Sequence, residues 1–113
     1  MKDQITTLQE IKDKVAKFVK DRDWEKFHSP KNLAMSIAIE ASELMEIFQW
    51  LTLEESWEII NSDEGTHLRE ELSDVIIYCI SLANQLNIDI SDSIGDKIRK
   101  NSIKYPVKAN KED

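Results

Sequence analysis

The sequence predicts an all-α protein, and three observations carry that prediction. Only two Gly and two Pro stand among 113 residues, too few turn signals for a sandwich or barrel of short strands. Apolar residues recur at three-and-four spacing over long stretches, the period of a helix with one buried face. Helix-start signals, S-P and T-x-x-E, fall between those stretches. The chain is read as a single domain over 1–113, since its 13.1 kDa leaves no room for a second core. A composition of 41% hydrophobic and 33% charged residues is a globular balance. A chain of this size buries roughly 60–70% of its unfolded surface, so association between copies would add to its stability.

The first helix is expected from residue 5 to about Arg22, with Ile5, Leu8, Ile11, Val15, Phe18 and Val19 on one face. Ser29 and Pro30 start a second helix that continues to about Leu51. Thirteen of the nineteen residues from 33 to 51 are apolar, so this helix should be buried on several sides. Thr52 and Glu55 form a capping-box pattern that opens a short helix through about Asn61, whose Trp57 is expected to pack. After the polar turn NSDEGT, a fourth helix runs from about Thr66 to Leu86, with Cys79 on its apolar side. Asp89 or Ser91 caps a last helix that ends before Tyr105-Pro106, and the tail VKANKED is expected to fray.

The formal charge of −7 argues against a nucleic acid polymer as partner. The lone Cys79 cannot form an internal disulfide and fits a reducing compartment. The amino terminus lacks an apolar segment of signal length, and the longest apolar run, VIIYCI, is too short to span a bilayer. The expectation is a soluble cytoplasmic protein with no membrane partner. Charge is unevenly spread: residues 40–74 hold eleven acids and one base, whereas 97–111 hold six bases and no acid. These are either complementary halves of a site or two solvated faces of opposite sign.

The candidate chemistry lies in two carboxylate pairs. Glu40 and Glu43 are three apart on the second helix, and Glu71 and Asp74 repeat the spacing on the fourth, which puts each pair on one helical face. Asn32, Ser36, Glu40, Glu43 and Trp50 share a stripe, as do His67, Glu71, Asp74, Tyr78 and Gln85. Helices paired through these stripes crowd four carboxylates that cannot all stay ionised without a cation. Oxygen-only ligands favour Mg²⁺, with Mn²⁺ as a substitute, over Zn²⁺. Lys97, Asn101 and Lys104, at i, i+4 and i+7 of the last helix, make a face suited to phosphate oxygens.

The segments SPKNLAMSIAIEASELMEIFQW, ELSDVIIY and KIRKNSIKYP, with RDWEKFH before them, resemble the MazG-like nucleotide pyrophosphohydrolases, especially the dCTP-pyrophosphatase-type members. The family pattern E-x-x-E then E-x-x-D is met by Glu40, Glu43, Glu71 and Asp74, with 27 residues between the pairs. The resemblance covers residues 5 to 106 and implies an all-α fold whose subunits associate into four-helix bundles, as a homodimer or homotetramer. It also implies Mg²⁺-dependent hydrolysis of a nucleoside triphosphate, with dCTP or a modified pyrimidine as leading substrate, to the monophosphate and pyrophosphate. Glu40, Glu43, Glu71 and Asp74 would then be metal-holding and catalytic, with one of them, or Glu46, orienting the attacking water. By the same resemblance Lys97, Asn101 and Tyr105 lie at the substrate, Trp24 and Trp50 sandwich the base, and Tyr78 lies near the sugar. Lys104 and Asn32 are added to the substrate side from their helical stripes. His28 is read as a pocket-entrance or capping residue, and His67 as lying beside the carboxylates or at the surface.

Overall fold

A computed structural model describes residues 1–108, all of them helix, turn or loop, with no strand among the described residues. Five α-helices follow in order: α1 (Leu8–Asp21), α2 (Pro30–Phe48), α3 (Leu53–Glu58), α4 (Gly65–Leu86) and α5 (Ile90–Lys104). One-turn 3₁₀ segments at Glu25–Phe27 and Ile59–Asn61 lead into α2 and out of α3. The tail expected to fray lies, from residue 109 on, outside the described residues.

Local side-chain chemistry sets most boundaries. Thr7 and Glu10 close a capping box at α1, so that helix starts three residues later than its apolar stripe suggests, and Ile5 is left 80% exposed in the preceding turn. Ser29 accepts the Asn32 amide at the head of α2, and Thr52 and Glu55 close a second box at α3. Asp89 rather than Ser91 caps α5. Two ends use a left-handed residue that the periodicity does not reveal: Asp23 (φ 55°) after α1 and Asn87 (φ 54°) after α4. In each, the next amide turns back onto the helix, Trp24 N–H to the Val19 carbonyl at 3.1 Å and Ile88 N–H to that of Ala83 at 2.9 Å. The first of these turns aims Trp24 back along α1.

α4 is the central element, with α2 packed along it and α1 beside it. Gln85 near the end of α4 donates to the His28 carbonyl just before α2, at 3.0 Å, which makes the two helices antiparallel. Asn84 donates to the Lys12 carbonyl at 3.1 Å and Lys12 Nζ to that of Ile88 at 2.9 Å, fixing the start of α1 against the end of α4. The buried core is small: Val19, Leu33, Ile59, Ile80 and Ala83.

The expectation that α2 is buried on several sides is not met within one chain. Met35, Ile39 and Met45 on α2 are exposed, as are Leu72, Ile76 and Cys79 on α4. Trp57, expected to pack, is 81% exposed on α3, a helix of only six residues with none of them buried. α5 is exposed apart from the half-buried Ile90 and Asn101. A radius of gyration of 17.4 Å exceeds the roughly 13 Å of a compact domain of about 100 residues.

Gly65 is buried at the first position of α4, and a Cβ there would run into the Ile60 backbone oxygen. Gly65→Ala should therefore lower stability by about 1–3 kcal/mol, the scale of overpacking. Urea unfolding of the variant against Gly95→Ala, where a Cβ meets open space, checks this.

Candidate functional site

Antiparallel packing of α2 on α4 brings Glu40, Glu43 and Glu71 together: one carboxylate oxygen from each lies within 4.8 Å of the others. Glu40 and Glu71 are half-buried and Glu43 is exposed. Burial, with Glu71 and then Glu43 beside it, pushes the Glu40 carboxyl up to about 7, as expected where like charges meet away from water. Glu40 Oε2 and Glu71 Oε2 are buried and have no hydrogen-bond partner. Unpartnered buried carboxylate oxygens are costly. A hard cation would satisfy both oxygens and remove the repulsion, so this donor set fits a divalent ion bound through oxygen. The fourth expected acid, half-buried Asp74, is not one of the three that converge; it lies one turn along α4 and lines a neighbouring cleft.

That cleft, of about 380 Å³, is lined by Phe18, Trp24, His28, Asp74, Ile77 and Tyr78 together with Lys14, Val15, Val19 and Ser81. Its aromatic wall is continuous. Trp24 meets Phe18 edge-on at 5.6 Å, and His28 lies 6.1 Å from Trp24 and 6.4 Å from Tyr78 between ring centroids. His28 Nδ1 is buried without a partner. The arrangement can hold a planar group against aromatic faces, with the polar groups of Lys14, His28, Asp74, Tyr78 and Ser81 around it.

A second, acidic cleft of about 540 Å³ opens on the same carboxylates and is lined by Glu43, Glu46, Glu64, His67 and Glu71 over Ile47, Leu51 and Ile59. His67, read as lying beside the carboxylates or at the surface, is 52% exposed with Nδ1 3.0 Å from Glu64 and Nε2 3.6 Å from Glu71. The Glu64 hydrogen bond holds its imidazole above the ordinary value.

Other expected site residues stand apart. Asn32 donates to the Phe27 carbonyl at 3.1 Å, tying the 3₁₀ turn to α2. Trp50, just past α2, is 86% exposed and lines neither cleft, so it does not face Trp24 across a sandwich within one chain. Lys97, Asn101, Lys104 and Tyr105 also line neither cleft; the Lys104 ammonium lies 5.3 Å from the Tyr105 ring centroid. Sequence reasoning missed the α1 wall, Lys14, Val15 and Phe18, because the stripe that packs α1 on α4 also supplies the cleft. The aromatic spacing Phe18 to Trp24 across a chain reversal was the available signal.

The model of the MazG-like family matches residues 35–113 of this chain. The chain is 39% identical over 105 residues to dCTP pyrophosphatase 1 of Bos taurus and, equally, of Homo sapiens. Each match covers 89% of this chain, which spans 60% of the length of those curated relatives. A crystal structure of a pyrophosphatase from Archaeoglobus fulgidus DSM 4304 shares the fold with a TM-score of 0.83 at 37% identity, covering 95% of this chain and 99% of that one.

The raised Glu40 carboxyl has a pH signature without metal. Between its ordinary 4.5 and about 7 the folded state holds a proton that the unfolded state releases, so stability should fall as pH rises through that window. Unfolding temperatures in EDTA across this range should show the decline in the wild type and less of it in Glu40→Gln. A divalent cation held by this cluster would compete with that proton, so its stabilising effect, read as the rise in unfolding temperature, should be larger at pH 8 than at pH 6.

Proposed function

Since the chain belongs to the MazG-like family, we propose that it hydrolyses a nucleoside triphosphate to the monophosphate and pyrophosphate with Mg²⁺ as cofactor. dCTP or a modified pyrimidine deoxynucleotide is the leading substrate, and cleansing of the nucleotide pool is the cellular task. The observation that carries this reading is the meeting of Glu40, Glu43 and Glu71 with two buried oxygens unpartnered, one turn from a cleft shaped for a planar ring.

Glu40, Glu43 and Glu71, with Asp74 next to them, would hold the metal. When bound, Mg²⁺ would supply positive charge and Lewis acidity to the phosphate oxygens. The chain's own residues orient the rest. Trp24 and Phe18 present ring faces and His28 Nδ1 an unpartnered polar atom to the base, while the Tyr78 ring closes the cleft beside Asp74 and takes the sugar. Lys97, Asn101 and Lys104 give α5 two cations and an amide suited to phosphate, with Tyr105 at its end. One of the four acids, or Glu46 on the lining of the acidic cleft, would orient the attacking water.

We also propose that the protein works as a homodimer or homotetramer, in which Trp50 and α5 meet the substrate. The uncovered apolar faces of α2 and α4 and the extended shape support this. Sedimentation should give two or four times 13.1 kDa; a monomer at micromolar concentration would remove the assembly.

The direct test is product analysis with each common dNTP and NTP, in Mg²⁺ and in EDTA. Expected is metal-dependent release of monophosphate and pyrophosphate, fastest with dCTP or a 5-substituted analogue. Equal rates on all bases would make the enzyme a broad NTP pyrophosphatase, and no turnover of any triphosphate by folded protein would overturn the hydrolase reading. Glu43→Gln should lose about 100-fold or more in turnover, the scale of removing one preorganised charged group. Asn101→Ala should raise KM while leaving Mn²⁺ affinity unchanged.

A further inference from the structure

Ser81 is buried, polar and unused by the reaction as described. Among the described residues it is the only buried one with a polar side chain, at 4% exposure. A hydroxyl in the core costs free energy unless it finds a partner, so its place in the wall of the aromatic cleft is informative.

Asp74, Tyr78 and Ser81 stand at i, i+4 and i+7 of α4 and line that cleft in turn. At about 1.5 Å of rise per residue, Ser81 is about 15 Å along the helix from Glu71. The order acid, aromatic ring, hydroxyl along α4 matches the order phosphate, sugar, base edge in a nucleotide. His28 Nδ1, buried without a partner, belongs to the same wall. A hydroxyl both donates and accepts, and an imidazole nitrogen does one or the other according to its tautomer. Val19, His28 and Ser81 also border a smaller cavity of about 150 Å³ with Glu25, Asn84 and Gln85, so the lining next to them is polar. We propose that Ser81 is a specificity-determining residue. With His28 Nδ1 it makes the polar end of the cleft and selects a pyrimidine-sized ring whose edge remote from the sugar carries an exocyclic hydrogen-bonding group.

This rests on the reading of the cleft as the seat of a nucleotide base, and its test separates the two. The probes are dCTP with an imido bridge between its α and β phosphorus atoms, which is not hydrolysed there, and the same compound with 2-pyrimidinone as base, which lacks only the exocyclic amino group. Each is titrated with Mg²⁺ into wild type, Ser81→Ala and Ser81→Cys by calorimetry, and the unfolding temperature without ligand monitors the fold. Cysteine fills the site with a far weaker hydrogen-bonding group, so the two variants differ in packing but share the loss. Wild type should bind the cytosine compound about 5-fold more tightly than the 2-pyrimidinone compound, the scale of one hydrogen bond. Both variants should lose about 5-fold on the cytosine compound and nothing on the other, which brings the ratio to about one. Equal weakening on both compounds would make Ser81 a packing residue and overturn the proposal, as would a ratio unchanged in the variants or already one in the wild type. Binding of neither compound by the wild type would overturn the base-cleft reading and the role of Ser81 with it. Turnover enters neither arm, so failure of the hydrolase reading leaves the result standing.

Discussion

The constraint that the site depends on is the antiparallel packing of α2 on α4, which sets Glu40, Glu43 and Glu71 against one another. Antiparallel packing of α2 on α4 is an ordinary way to bury apolar stripes, but here it carries three acids to within 4.8 Å of one another at half-buried positions. The apolar packing on either side, with Leu33 on α2 and Ile80 on α4 fully buried, must offset that repulsion. The protein thus stores an unfavourable electrostatic arrangement in a helix pair that hydrophobic burial holds shut. A cation held there would relieve it and could be shared with phosphate oxygens, so the misfit that costs stability is also what fits the cluster for a metal ion.

Features that depend on side chain and backbone close in sequence were legible from the residues. Ser29, Thr52 and Asp89 cap where their positions imply, because each bond joins residues three apart. The two E-x-x-[ED] pairs marked the two helices whose acids Glu40, Glu43 and Glu71 converge, because a three-residue spacing on a helix is already a spatial statement. What escaped depends on longer reach or on other molecules. The α1 stripe reads as core throughout, yet Val19 is buried while Phe18 is 48% exposed on the cleft wall, since only the turn at Asp23 decides which flank faces Trp24. Trp57 read as a packing residue and stands in solvent, because a pattern shows that a side chain seeks cover but not that its own chain supplies it. Asp74 shares a stripe with Glu71, but one helical turn is enough to assign the two acids to different neighbours.

The acidic cleft that opens on Glu43 and Glu71 and the neighbouring aromatic cleft, which Asp74 lines, differ in kind. One is aromatic, with an unpartnered imidazole nitrogen; the other is acidic, with His67 bridging two glutamates. A ligand bearing a ring at one end and negative charge at the other meets both chemistries only when cations intervene on the acidic side. The charge pattern of the chain is consistent with this division: its acids concentrate around the helix pair and its bases on α5.

The cleft wall and the acids belong to different parts of the framework. The acids ride on the two helices that make the core, where a change of side chain disturbs packing and charge together. The wall is largely α1 and the turn after it, joined to α4 by Val19 and by hydrogen bonds from Asn84 and Lys12. Lys14 and Phe18 are exposed and Val15 is half-buried, so exchanges there should cost less in folding than exchanges in the core. Change at those three positions alters the cleft while leaving the acids as they are, so a laboratory library confined to Lys14, Val15 and Phe18 would vary the wall without touching the core residue Val19.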